Sequence, residues 1–169
     1  MEVQKPEAWL RGPVAGIHPL FMPILFTFTM IREDLARHVT GLSSEEVWTR
    51  VGGTSLGFHL KHIAGSVDRL TTYLLGDQLD EAQLRFLRHE EEGGVSLTKL
   101  LDEVDTALAL SERRVQSLNP KQIYDERSVG RKALPTTVIG LIVHLCEHTQ
   151  RHLGQAITVA KMLRSTHDV

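Results

Sequence analysis

Apolar residues recur at intervals of three and four along most of this chain, and few segments alternate with a period of two. An α-helix turns once every ~3.6 residues, so such recurrence lays apolar side chains along one helix face. The chain is therefore expected to be all-α. Breakers divide it. Pro6, Gly12, Pro13 and Gly16 mark residues 1–16 as an irregular N-terminal leader. A first helix is expected from about Pro19 to His38, stopping before Gly41. "SSEEVW" offers Ser44 as the N-cap of a short helix carrying Trp48, with acidic residues in its first turn. Thr54 or Ser55 caps a second long helix that Gly76 ends, with Leu56, His59, Ile63, Val67, Leu70 and Leu74 near one stripe. A polar connection follows, with a helical turn around Ala82 to Leu87, and Ser96 starts a third helix closed by Asn119 and Pro120. A second crossover, about residues 119–136, holds extended backbone near "RSVG", and the last helix runs from about Thr137 to Arg164. Four long helices with two long connections imply a four-helix bundle that is not simply up-down-up-down. Residues 17–166 are read as its single domain.

Composition excludes several classes. At 41% hydrophobic and 24% charged residues, the chain suits a globular protein. A formal net charge of -2 gives no electrostatic reason to expect a nucleic-acid partner. The most apolar run, "PLFMPILFTFTMI", is too short to span a membrane and is cut by Pro19 and Pro23. The N-terminal stretch lacks the apolar core of a secretory signal. Cys146 is the one cysteine, so no intrachain disulfide can form; it reads as a small buried apolar residue, and a cytoplasmic setting is expected.

Nine histidines are the compositional oddity. In "HLCEHTQRHLGQ", residues 144–155, three of them follow one another at a spacing of four. A step of four displaces a side chain by about 40° around a helix and about 6 Å along it. His144, His148 and His152 thus form one slanted ridge. Adjacent members can chelate one ion, as the paired imidazoles of zinc helices do. The outer two are about 12 Å apart along the axis, so one adjacent pair at most is expected to bind. A further ligand must come from elsewhere, and "HLKHIAGS" in the second helix supplies His59 and His62. Neutral imidazole suits Zn, Ni, Fe or Cu, so the ligand type does not name the ion. Two histidines from one helix and one from another would leave coordination positions open to water or substrate. A ridge of half-buried histidines bonded to carbonyls would produce the same spacing without any metal.

"HIAGS" in the second helix and "HTQRHLGQ" in the fourth, in this order of elements, resemble the DinB/YfiT-like superfamily from about Leu10 to Leu163. The resemblance implies a four-helix bundle with long crossover connections and a divalent metal held by three histidines. On the matching motif positions, these are His62, His148 and His152. His59, His144 and Gln155 are then candidates for orienting a ligand or lining the pocket. Zn or Ni is expected ahead of Fe or Mn. Some characterised relatives transfer bacillithiol or mycothiol, and the metal is thought to activate the thiolate; water is the alternative nucleophile. The resemblance thus points to a metal-dependent S-transferase acting on a small molecule, with a non-catalytic metal- or ligand-binding bundle as the second reading. A homodimer is compatible with both.

The remaining polar residues are expected to be structural. Glu147, one residue from His148, faces about 100° away, toward surface pairs. Asp68 is a helix-face charge, and Gly154 permits close helix packing. Trp9 and Trp48 anchor the leader and the short helix. His18, His38, His89 and His167 are exposed or capping.

Overall fold

In the computed structural model, which describes residues 5–165, six α-helices, three short 3₁₀ helices and one β-hairpin make up the described elements. The helices are α1 (Met22–His38), α2 (Ser44–Trp48), α3 (Leu56–Leu75), α4 (Glu81–Arg88), α5 (Leu97–Gln116) and α6 (Val138–Ser165). The hairpin pairs β1 (Glu126–Val129) with β2 (Leu134–Thr137). The four long helices α1, α3, α5 and α6 form the all-α bundle that the periodicity predicts. His167 lies outside the described residues.

The packing order is not the chain order. α3 packs on α5 and α6, and α1 packs on α6 and α5. α1 and α3 therefore lie across the bundle from each other, as do α5 and α6. The connections that cross are residues 39–55 and 117–137. The polar connection at residues 76–96 joins neighbours. The buried core runs through all four helices and includes Phe28, Ile31, Leu60, Ile63, Leu108, Leu145 and Leu153.

Local chemistry explains the boundaries. Ser55 accepts a hydrogen bond from the Phe58 amide and starts α3. Gly76 ends it at φ 91°, a left-handed conformation that glycine adopts without steric cost. Arg127 of β1 donates through Nε to the Leu74 carbonyl at 2.9 Å, pinning the hairpin to that helix end. The first amides of α6 donate to the preceding crossover, Val138 to Asp125 and Ile139 to Ile123.

Several expectations need correction. α2 is capped by Ser43, whose hydroxyl accepts from the Glu46 amide while the Glu46 carboxylate accepts from the Ser43 amide. This reciprocal box needs a Glu or Gln three residues on; Glu46 stands three after Ser43 and Val47 three after Ser44, which puts the cap one position before Ser44. The helical turn expected around Ala82 is a full helix, α4, boxed by Asp80 and Gln83. In the leader, residues 8–10 form a 3₁₀ turn whose Ala8 is buried, while Trp9 is 54% exposed and donates to its near neighbour Glu7. Arg11, paired with Glu33 of α1, ties the leader down instead. Trp48 does anchor its helix, donating to the Val95 carbonyl at 2.8 Å.

Candidate metal centre

α3 and α6 are packed neighbours, and their facing sides carry the histidines. His59 and His62 sit in the first two turns of α3, and His148 and His152 near the middle of α6. One ring nitrogen from each of His62, His148 and His152 lies within 4.8 Å of the others. His62 Nε2 and His148 Nε2 are 3.0 Å apart. Ring centroids are separated by 4.2 Å for His62 and His152, and by 4.7 Å for His148 and His152. The three rings are half-buried, not sealed.

The electrostatics favour neutral rings. Burial first, then charge on His62, pushes the imidazoles of His148 and His59 down to about 4. The same causes push His152 to about 3. A neutral imidazole has a lone pair to give, whereas an imidazolium has none. The donor set thus fits a divalent ion: three imidazoles from two packed helices, one nitrogen of each within 4.8 Å of the others.

Polar neighbours hold two of the rings from behind. His62 Nδ1 is 2.7 Å from the Glu90 carboxylate, and Glu90 is 3% exposed. Arg69 Nη1 donates to the other Glu90 oxygen at 2.7 Å. His152 Nδ1 is 3.1 Å from His59 Nδ1, and His59 Nε2 is 3.1 Å from Thr54 Oγ1. Phe58 stacks on His62 with centroids 5.4 Å apart and meets His59 and His152 edge-on.

The other candidates are placed differently. His144 is exposed and bonded to Glu147, and its ring is 5.2 Å from that of His148. Glu147 also bonds Arg151, so it forms the expected surface pairs. Gln155 is exposed and makes no hydrogen bond to these histidines. Gly154 contacts nothing that a methyl group would meet, so it does not serve close packing. Cys146 is half-buried, with its thiol pushed up by burial, which disfavours a thiolate. Asp68 accepts from Gln83 of α4. His18 caps the turn before α1. Glu90, Arg69, Thr54 and Phe58 are the neighbours that sequence reasoning missed. Of these, Glu90 carries no periodic signal because it lies in the α4–α5 connection.

A small cavity of about 170 Å³ opens beside the cluster, lined by Arg50, Gly53, Thr54, Ser55, Phe58 and Glu91. A larger groove of about 460 Å³ lies beyond Arg69, between α3, α4 and α5, and no histidine lines it.

The model of the DinB superfamily matches residues 27–156, which span α1 through most of α6 and include all three clustered histidines. This chain belongs to the DinB superfamily. The solved structures agree on the fold. A conserved protein from Enterococcus faecalis superposes with a TM-score of 0.68 at 14% identity, covering 88% of this chain and 99% of its own. A DinB-like protein from Bacillus cereus gives 0.61 at 16% identity, covering 82% and 89% respectively. No curated protein matches the sequence. Among the described residues, no helix of this DinB bundle is long and apolar enough to cross a membrane.

Proposed function

We propose that this DinB-superfamily chain is a divalent-metal-dependent enzyme whose ion is held by His62, His148 and His152. The observation that carries the reading is their convergence, one nitrogen each within 4.8 Å, from two helices far apart in sequence. When bound, a divalent ion supplies a Lewis acid that lowers the pKa of a thiol or water near it. The protein's own groups supply the rest. Burial keeps the imidazoles of His148 and His152 unprotonated, so protons do not compete with the ion for these two near neutral pH. Three protein ligands are fewer than such an ion takes, which leaves room for a small molecule. The cavity beside Phe58 offers an aromatic wall for that molecule, with Arg50 and Glu91 paired at 2.9 Å on its rim.

The reaction proposed is transfer of a low-molecular-weight thiol, of bacillithiol or mycothiol type, to a small electrophile. The family resemblance supports the thiol. Zn or Ni is the proposed ion; a cytoplasmic homodimer is the proposed setting.

Elemental analysis of tag-free protein tests the centre. About one equivalent of metal, or uptake of Zn or Ni to that level, is expected. No metal and no uptake would overturn the reading. Thiols screened against electrophiles, with and without chelator, test the chemistry: turnover indifferent to metal removal would sink the mechanism.

A further inference from the structure

Glu90 meets the clustered His62 ring directly, and it is nearly inaccessible. Its two oxygens have separate tasks. One meets His62 Nδ1 at 2.7 Å, and the other accepts from Arg69 Nη1 at 2.7 Å. Arg69 is itself 8% exposed. The slot is built for this pair. A Cβ added at Gly65 would stand 2.6 Å from both Glu90 Oε1 and Arg69 Nη1, so the absence of a side chain here leaves room for them. The segment carrying Glu90 is held on both sides. Lys61 donates to the His89 and Glu92 carbonyls at 2.9 and 3.0 Å, and Trp48 donates to Val95.

The arrangement decides which His62 nitrogen carries the proton. A carboxylate is an acceptor only, so at 2.7 Å the neutral His62 ring must donate from Nδ1. Nε2 is then bare, and it is the nitrogen that faces His148. An amide could not do the same. Arg69 is a donor only and would claim the amide oxygen, leaving the NH₂ group to face His62. The ring would then have to accept at Nδ1 and carry its proton on Nε2, where no ion could bind.

We propose that Glu90, gripped by Arg69, is a positioning residue that fixes His62 as the Nδ1–H tautomer and so keeps its metal-binding nitrogen bare. The metal consequence rests on the function proposed above, whereas the tautomer does not. Both can be read on the full chain. In metal-free protein at about pH 8, where imidazoles are neutral, long-range ¹H–¹⁵N spectra report the tautomer of each ring. Wild-type His62 is expected as Nδ1–H, and Glu90→Gln is expected to convert it to mostly Nε2–H. A wild-type ring protonated on Nε2, or a variant with an unchanged tautomer, overturns the proposal whatever the metal does. In competition with a chromophoric chelator, Glu90→Gln is expected to weaken Zn binding by about 10–100-fold. Equal affinities overturn the proposal; a wild type that binds no Zn overturns the function and leaves the tautomer to decide this one. Should Glu90→Gln not fold, Arg69→Lys takes its place. It weakens the grip on Glu90, and a partial rise in Nε2–H on His62 is expected; no rise overturns the proposal.

Discussion

His144 and His148 differ by one turn of α6 and by what stands opposite them. His148 faces His62 across the α3–α6 interface, and His144 faces solvent with Glu147 as its partner. His148→Ala is expected to abolish uptake of Zn in equilibrium dialysis, and His144→Ala to weaken it modestly; equal losses would show that the wrong pair was chosen. Gly65→Ala tests the crowded side of α3. Its methyl would press on Phe86 as well as on Arg69 and Glu90. A loss of about 1–3 kcal/mol in chemical denaturation is expected, the usual cost of overpacking. Helix spacing offered the ridge His144, His148 and His152 with His59 and His62 opposite, and the likeness to the DinB/YfiT-like motif singled out His62, His148 and His152, the three whose nitrogens converge. Glu90 was not legible. It stands in "HEEEGG", where three acids in a row look alike, and tertiary contacts alone separate them: Glu90 is buried, Glu91 pairs with Arg50, and Glu92 is exposed.

At the scale of elements, turn chemistry placed the long helices closely. Ser55, Gly76 and Ser96 act as expected, because caps and left-handed glycines work through atoms a few residues away. What the sequence could not order was the packing. The 76–96 connection and the crossing connections are all polar and long, and nothing local tells a loop whether it joins neighbours or spans a bundle. Gly154 is a further case. It reads as a packing glycine, yet it lies in open space on the exposed side of α6. Since glycine costs a helix up to about 1 kcal/mol relative to alanine, Gly154→Ala is expected to stabilise the protein by roughly that amount in urea melts. A destabilised variant would show that something other than solvent meets that face.

For the whole molecule, the histidine cluster ties stability to acidity. His59, His148 and His152 have folded-state values of about 4, 4 and 3, against about 6.5 in an unfolded chain. Between these limits the unfolded chain holds more protons than the folded one, so stability falls as pH falls. Metal-free protein is therefore expected to lose stability progressively from about pH 6.5 toward pH 4, followed as Tm by circular dichroism. A flat profile across that window would contradict the buried, neutral rings. Zn at about 100 times its Kd should add about 2.7 kcal/mol at neutral pH, and chelator should remove it. The gain should shrink on acidification, since protons compete for the same nitrogens.

The anchored α4–α5 connection also limits how portable the site is. Copying α3 and α6 onto another bundle would carry three imidazoles at the right spacing. It would leave behind Glu90, together with the grip of Trp48 on Val95 that helps hold its segment in place. A graft made from two helices is a different object from this one. The smallest transferable unit is discontinuous: two helices, one loop, and the short helix that clasps it.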